Sequence, residues 1–459
     1  MIPEHIRSRD GRAPAGRGIT WRGARPNSLA DNGHFGETHV SELAAFDRRE
    51  SEVRGYIRSF PVLFERANGS VLSTADGRDY LDFFAGAGVL NYGHNNPKLT
   101  EPLIDYLRDG GILHGLDMAT SAKRDFIEAF ERRILEPRGL DYKMQFTGPT
   151  GANAVEAALK VARQATGRSN VVAFTNGFHG LSLGALAATG NAKYRRAGGI
   201  DLGGVTRLPY DGYLGADLDT LDLFEKMLTD PGSGLDLPAA VIVETVQGEG
   251  GINVASPAWL QRLRELTAAH GILLIVDDIQ AGVGRTGAFF SFEESGIVPD
   301  LVTVSKSISA SGLPMSLLLM RPEVDVWEPG AHTGTFRGNS LAFVSARAAL
   351  DTYWADTAFV EQIAERSTQL RTALDAIATE FPEAGFVVRG RGLMYGLASV
   401  SRPELAGAVS AAAFEHGLVI ETSGGSDEVL KFLPALTITA EELDAGLAIV
   451  RESLRAVGA

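Results

Sequence analysis

Two apolar runs near the middle of the chain constrain its fold more than any other feature. Ile272-Leu273-Leu274-Ile275-Val276 leads into Asp277-Asp278-Ile279-Gln280, and Leu301-Val302-Thr303-Val304 leads into Ser305-Lys306-Ser307. Each run is too short for a helix and carries charge only at its C-terminal end, the pattern of a strand buried on both faces. Similar runs at Val171–Phe174, Ala240–Val243 and Leu317–Leu319 alternate with helical spacing such as Trp259, Leu260, Leu263 and Leu266. From about Phe146 to Arg321 this alternation predicts an α/β fold, a mostly parallel sheet covered by helices. Ligands of such sheets bind outside the carboxyl ends of the strands, so Asp277 and Lys306, 29 residues apart, are expected to face one crevice.

A carboxylate and a lysine so placed are what pyridoxal phosphate needs. The amine condenses with its aldehyde, and the carboxylate keeps the ring nitrogen protonated so that the ring withdraws electrons. Other segments aim at the same crevice. In Gly148-Pro149-Thr150-Gly151-Ala152, Thr150 is placed to cap an alanine-rich helix whose first N–H groups make an anion site. Phe178, in Asn176-Gly177-Phe178-His179-Gly180, suits stacking on a flat ring and equally suits an ordinary core. Glu244 and Glu249 follow the next strand among glycines, placed to hold a substrate ammonium or to form a movable ion pair. Gly334-Thr335-Phe336-Arg337-Gly338-Asn339 offers a hydroxyl and backbone donors for a second phosphate contact.

Composition removes several alternatives. A net charge of −14 argues against nucleic acid as the main partner, which favours a basic face. The absence of cysteine rules out disulfides and thiolate metal sites and fits a reducing cytoplasm. None of the nine histidines falls at metal-ligand spacing, and no apolar run reaches the ~18 residues of a membrane span. Two short patterns are decoys. Gly282-Val283-Gly284-Arg285-Thr286-Gly287 matches a dinucleotide fingerprint but is followed by aromatic residues rather than a helix start. Gly180-Leu181-Ser182-Leu183-Gly184 matches a nucleophile elbow but stands six residues beyond its strand. Residues 1–40 lack periodicity and read as a flexible extension. A helix is expected from Ser41, with residues 41–95 as the N-terminal part of a small domain and 96–338 as a large domain. Residues 339–459 read as the C-terminal small domain, α+β, led by helices over 340–354 and 358–378.

Over roughly residues 45–455 the chain resembles the class III aminotransferases of the aspartate-aminotransferase fold, pyridoxal-phosphate fold type I. The most specific stretch is Asp277 through Gly287, similar to that family's D-E-x-Q-x-G-x-G-R-T-G, with Ser305-Lys306. Asn91-Tyr92-Gly93-His94-Asn95-Asn96-Pro97, His114 to Thr120 and Ile420-Glu421-Thr422-Ser423-Gly424 bring it closest to the subgroup that makes diaminobutyrate at the start of ectoine synthesis. The resemblance implies Lys306 as the cofactor lysine and proton carrier, Asp277 at the ring nitrogen, Gln280 at the ring hydroxyl, and Ile279 and Phe178 on the two ring faces. It places Glu244 among the cofactor contacts, and Thr150, Gly151 and Ala152 at the phosphate. Thr335 is implied to reach the phosphate across a homodimer or higher assembly.

The implied reaction moves an amino group from L-glutamate to L-aspartate 4-semialdehyde. Another ω-aminotransferase, of 4-aminobutyrate or ornithine type, and a mutase or racemase on the same fold remain alternatives. The pathway served is left open. Departures from the broad family pattern are Asn153 and Asp278 where glutamates are usual, Leu181 where some members carry an arginine, and Lys431 where a gate arginine pairs with the counterpart of Glu249. Glu249, Lys431 and Arg337 are therefore the expected substrate residues, Arg337 as the cation for a second carboxylate.

Overall fold

A computed structural model describes residues 35–459. The expected extension lies mostly outside the described residues, but its last six positions are helical, because the first helix spans Phe35–Arg49 and so begins ahead of Ser41. No proline stands between Phe35 and Ser41 to stop that turn.

Three short strands follow, β1 (Phe64–Asn68), β2 (Val71–Thr74) and β3 (Asp79–Asp82), paired as an antiparallel ladder. The central part of the chain supplies β4 (Lys143–Phe146), β5 (Val171–Phe174), β6 (Val205–Leu208) and β7 (Ala240–Val243). A two-stranded ribbon of β8 (Val246–Gln247) and β9 (Asn253–Val254) precedes β10 (Leu273–Asp277), β11 (Leu301–Val304) and β12 (Leu317–Met320). Seven of these strands form one sheet in the order β4-β12-β11-β10-β7-β5-β6. Pairing is parallel from β11 through β6, whereas β12 runs antiparallel to both of its neighbours.

Alternate side chains explain why the inner strands read as unbroken apolar runs. Val172, Phe174, Val241, Val243, Leu274, Val276, Val302 and Val304 join the apolar layer on one face of the sheet. Val171, Ala173, Ala240, Ile242, Ile275 and Leu301 join the layer on the other, beneath the helix Gly151–Thr166. A strand covered on both sides needs apolar residues at every position. The strands not foreseen, β4 and β6, are the two edges and carry Lys143, Gln145, Thr206 and Arg207, which an edge tolerates.

The C-terminal region begins with helices Ser340–Tyr353 and Ala358–Glu380, within two residues of their expected ends. It then adds β13 (Phe386–Arg391), β14 (Met394–Ser399), β15 (Leu418–Val419), β16 (Glu421–Ser423) and β17 (Val429–Phe432). Four of these make an antiparallel sheet ordered β13-β14-β17-β16. The fifth, β15, extends the first ladder by pairing in parallel with β3, so early and late segments share a sheet. Among the described residues no helix is long and apolar enough to cross a membrane.

Candidate active site

The parallel register sets the centre of the site. Asp277 is the last residue of β10 and stands opposite Thr303 of β11, and Lys306 follows two residues after β11 ends. Lys306 has φ +52°, in the left-handed region that a side-chain-bearing residue enters only at a cost of order 1–3 kcal/mol. That turn sends its Nζ to the carbonyl of Ala87, 2.9 Å away, itself a residue at φ +59°. Gln280 donates to the same carbonyl at 3.0 Å and to Glu249 Oε1 at 3.1 Å. Two strained backbone positions thus hold the lysine and the amide side by side.

The resulting cavity, of about 180 Å³, is lined by nine of the residues expected there: Gly151, Ala152, Phe178, Glu244, Glu249, Asp277, Ile279, Gln280 and Lys306. Burial favours the neutral amine of Lys306 and outweighs the carboxylate of Glu249, so its proton affinity lies below the usual lysine range. Asp277 is held from three sides. Its Oδ2 lies 2.7 Å from Nδ1 of His179, and its Oδ1 accepts from the Thr303 hydroxyl at 3.0 Å and from the Ile279 N–H at 3.3 Å. Burial works against a charged His179, but the bond to Asp277 overcomes it and raises the proton affinity of the ring.

Neither His179 nor Thr303 emerged as a site residue from the sequence. The signal for Thr303 was present as the one polar residue inside Leu301-Val302-Thr303-Val304. His179 stands at no metal-ligand spacing in the sequence, and the described residues hold no cluster fit for a metal.

The two glutamates expected to play similar parts do not. Glu244 accepts from the N–H groups of Phe178 at 2.8 Å and Gly248 at 3.3 Å, and burial pushes its carboxyl up to about 7. It makes no ion pair among the described residues and instead staples two loops beneath the cavity. Glu249 is the ion-pairing member. Its Oε1 lies 2.8 Å from Nζ of Lys431, which also lies 2.8 Å from Oε1 of Glu421, directly opposite it on β16. Lys431 is fully buried while Glu249 keeps 22% of its side chain exposed. Burial opposes ionisation of Glu249, yet Lys431 and Lys306 prevail and hold its carboxyl down at about 2. The two carboxylates likewise raise the proton affinity of Lys431 despite its burial. Glu421 was not foreseen as part of this cluster. Its mark in the sequence is a lone charge beside an apolar strand, paired with the lone lysine inside Val429-Leu430-Lys431-Phe432.

Thr150 is the N-cap foreseen, in a reciprocal capping box in which Asn153 N–H bonds the Thr150 hydroxyl and the Thr150 N–H bonds Asn153 Oδ1. The Thr150 hydroxyl also donates to Asn153 Oδ1 at 2.8 Å, so Asn153 serves the helix end. The first-turn N–H groups of Gly151 and Ala152 have no acceptor within the helix and stay free to donate to an anion. Asp278 points away from the cavity and accepts from the Ser291 N–H at 3.1 Å, so its departure from the family glutamate shapes a buried loop. Burial pushes its carboxyl up to about 7.

Four expected residues do not line the cavity: Thr150 caps the helix that does, Lys431 meets it through Glu249, and Thr335 and Arg337 lie on a loop apart from it. Thr335 bonds through its carbonyl to Nε2 of His114 at 2.7 Å, beside the exposed apolar side chains of Ile112, Leu113, Met118 and Phe336. Arg337, expected as the second carboxylate's cation, donates to the Thr333 hydroxyl at 3.2 Å and lines a separate hollow with Asp117, Gln145 and Trp327. The Gly334–Asn339 loop begins against Gly148, just past the end of β4, and within one chain Arg337 faces that separate hollow rather than the cavity. Both decoys resolve as structural. Ser182 donates to Glu156 at 2.7 Å with no histidine beside it, and Arg285 is buried against the carbonyls of Leu393 and Pro434.

The donors and acceptors present fit pyridoxal phosphate. Gln280 Oε1 is buried without a partner, and a ring hydroxyl supplies the donor it lacks. A lysine of lowered proton affinity, an aspartate fixed from three sides and a helix start line the same cavity.

Residues 54–454 match the family model described as aminotransferase class-III. The chain belongs to that family. This aminotransferase is 60% identical over 413 residues to a diaminobutyrate--2-oxoglutarate transaminase of Bordetella parapertussis, covering 90% of this chain and 95% of that protein. A transaminase of the same description from Vibrio cholerae is 58% identical over 409 residues, covering 89% and 99%. Among solved structures, the ornithine aminotransferase of Toxoplasma gondii superposes with a TM-score of 0.79 at 28% identity, covering 92% of this chain and 96% of that one. An aminotransferase of Bacillus anthracis shares the fold with a TM-score of 0.81 at 23% identity, covering 91% and 98%.

Proposed function

We propose that this class III aminotransferase uses pyridoxal phosphate to move the amino group of L-glutamate onto the terminal aldehyde of L-aspartate 4-semialdehyde. The products are 2-oxoglutarate and L-2,4-diaminobutyrate, and the reaction is reversible and ping-pong, with 2-oxoglutarate leaving before the aldehyde enters. The observation that carries the reaction type is Lys306 beside Asp277 at the ends of β11 and β10. The choice of substrates draws support from the diaminobutyrate transaminases at 55–60% identity.

When bound, pyridoxal phosphate supplies a carbonyl that takes up the amino group and a ring that accepts the electrons of a broken C–H bond. Asp277, oriented by His179 and Thr303, would face the ring nitrogen, and Gln280 the ring hydroxyl. Phe178 and Ile279 would cover the faces, with the Thr150–Ala152 turn at the phosphate. Lys306 would take the proton from the substrate carbon that bears the amine and deliver it to the cofactor's former aldehyde carbon, and its lowered proton affinity suits that duty.

Glu249 and Lys431 lie beside the reacting carbon, because Gln280 donates both to Glu249 and to the Ala87 carbonyl that Lys306 also reaches. An α-amine donor brings a carboxylate on that carbon, and Glu249, the partly exposed member, gives up its place on Lys431. A terminal aldehyde brings none, and the ion pair stays closed. The apolar patch around Phe336 and the position of Thr335 within it favour a homodimer, in which Thr335 of one copy serves the phosphate of the other.

The test is a panel of amine donors with 2-oxoglutarate as acceptor, assayed on the cofactor-loaded enzyme. Diaminobutyrate should exceed ornithine and 4-aminobutyrate in kcat/KM by about tenfold or more. Preference for either of the others would replace the substrate while leaving the family intact.

A further inference from the structure

Glutamate and diaminobutyrate differ at the reacting carbon but share a feature further out. In both, a carboxylate carbon lies three bonds from the carbon that carries the transferred amine. 2-Oxoglutarate and the semialdehyde keep the same spacing, so one fixed cation site serves both half-reactions. Within one chain, three places for that site are closed. Position 181, just past His179-Gly180, holds an exposed leucine. Arg337 lines a different hollow. Lys431 is fully buried beside the reacting carbon and already meets two carboxylates.

One cationic surface adjoins the cavity. A second hollow, of about 300 Å³, shares Phe178 and Glu249 with the cofactor cavity and is lined further by Lys193, Tyr194 and Arg196. The Tyr194 ring stands edge-on to Phe178 with centroids 5.5 Å apart, so the two rings form a continuous wall from one hollow into the other. Lys193 and Arg196 flank that wall on the short helix Ala192–Arg196, and neither side chain has an ion-pair partner among the described residues. Two unpaired cations beside a catalytic cavity raise the local concentration of anions, and an arginine fork suits a carboxylate.

We infer that Lys193 and Arg196, beside the Tyr194 ring, form the subsite for the remote carboxylate common to both amino-acid substrates. The inference rests on the transaminase reading and adds the residues that measure substrate length. It makes a substrate with the reacting carbon three bonds from a carboxylate the preferred one, with the reacting end set by Lys306 and the remote end by this pair.

The experiment compares wild type with Lys193→Ala, Arg196→Ala and the double variant, all loaded with cofactor. Calorimetric titration of glutarate, a dicarboxylate with no amine to transfer, reads the subsite without turnover. Single-turnover kinetics then compare glutamate with 1,3-diaminopropane, which is diaminobutyrate without its carboxylate. We expect the glutarate Kd to rise about tenfold in each single variant and about a hundredfold in the double. The KM for glutamate should rise in parallel while kcat changes little and the diamine reacts as in wild type. Lys193→Arg with Arg196→Lys should restore most of the affinity, and Arg195→Ala, a neighbouring cation outside the hollow, should leave it unchanged. An unchanged glutarate Kd in the double variant, or an equal loss for the diamine, overturns the assignment. Failure of wild type to use diaminobutyrate would overturn the substrate reading alone, since glutarate affinity decides the subsite independently.

Discussion

The two ends of the cavity are held by different kinds of contact. At the ring end, Asp277 is bonded by a buried histidine, a threonine fixed by strand register and a backbone N–H, all on or against the central sheet. At the substrate end, Lys431 is clamped between Glu421, its fixed neighbour across two strands, and Glu249, a partly exposed residue in a glycine-flanked loop. One end has three restraints and no moving part. The other has a fixed cation with one exchangeable partner. In the proposed reaction the cavity takes an α-amine and a terminal amine in turn, and its electron-withdrawing chemistry stays constant when the change of substrate is absorbed at the second end.

Substitutions can break that division. Asp277→Asn removes the charge at the ring end, and kcat/KM should fall about a thousandfold, on the order of 4 kcal/mol, for every amine donor alike. A loss confined to one donor would show that the ring end is not independent of the substrate. Lys431→Met strikes the other end by leaving Glu421 and Glu249 buried together without a cation. Chemical denaturation should register a loss of about 3 kcal/mol. A variant as stable as wild type would mean that the two carboxylates already share a proton and that Lys431 is not their counter-ion.

The pH dependence of stability sharpens the comparison further. The Glu249 carboxyl is depressed from 4.5 to about 2 in the folded protein, so its ion pair contributes stability above pH 4.5 that is lost as pH falls toward 2. Wild type should therefore exceed Glu249→Gln in thermal stability at neutral pH, with the gap shrinking steadily below about pH 4.5. A gap that stays constant through that window would assign the difference to packing rather than to charge.

The two ends also differed in how well the sequence announced them. Asp277 and Lys306 were legible because strands buried on both faces admit charge only at their ends, where a parallel sheet places its ligands. Phe178, Ile279 and Gln280 followed from the family resemblance and do line the cavity. What escaped depends on contacts between strands or loops distant in sequence. Thr303 matters because register sets it opposite Asp277, and Glu421 because β16 lies against β17. Arg337 is the converse case, since within one chain it lines a separate hollow and not the cavity. Its loop sits near the lysine in sequence but runs along the surface, while Lys193 and Arg196, on a short helix with no motif, adjoin the cavity. The edges β4 and β6 were missed because an edge strand may carry polar residues and so loses the apolar pattern.

On the proposed reaction, the amine of Lys306 is the one that joins the cofactor. Purified enzyme loaded with pyridoxal phosphate should absorb near ~420 nm, and borohydride should fix the chromophore covalently. After proteolysis and mass spectrometry the added mass should fall on the peptide containing Lys306, and should be lost in Lys306→Ala. Stoichiometric label on Lys431, Lys193 or any other lysine, with Lys306 unmodified, would contradict it.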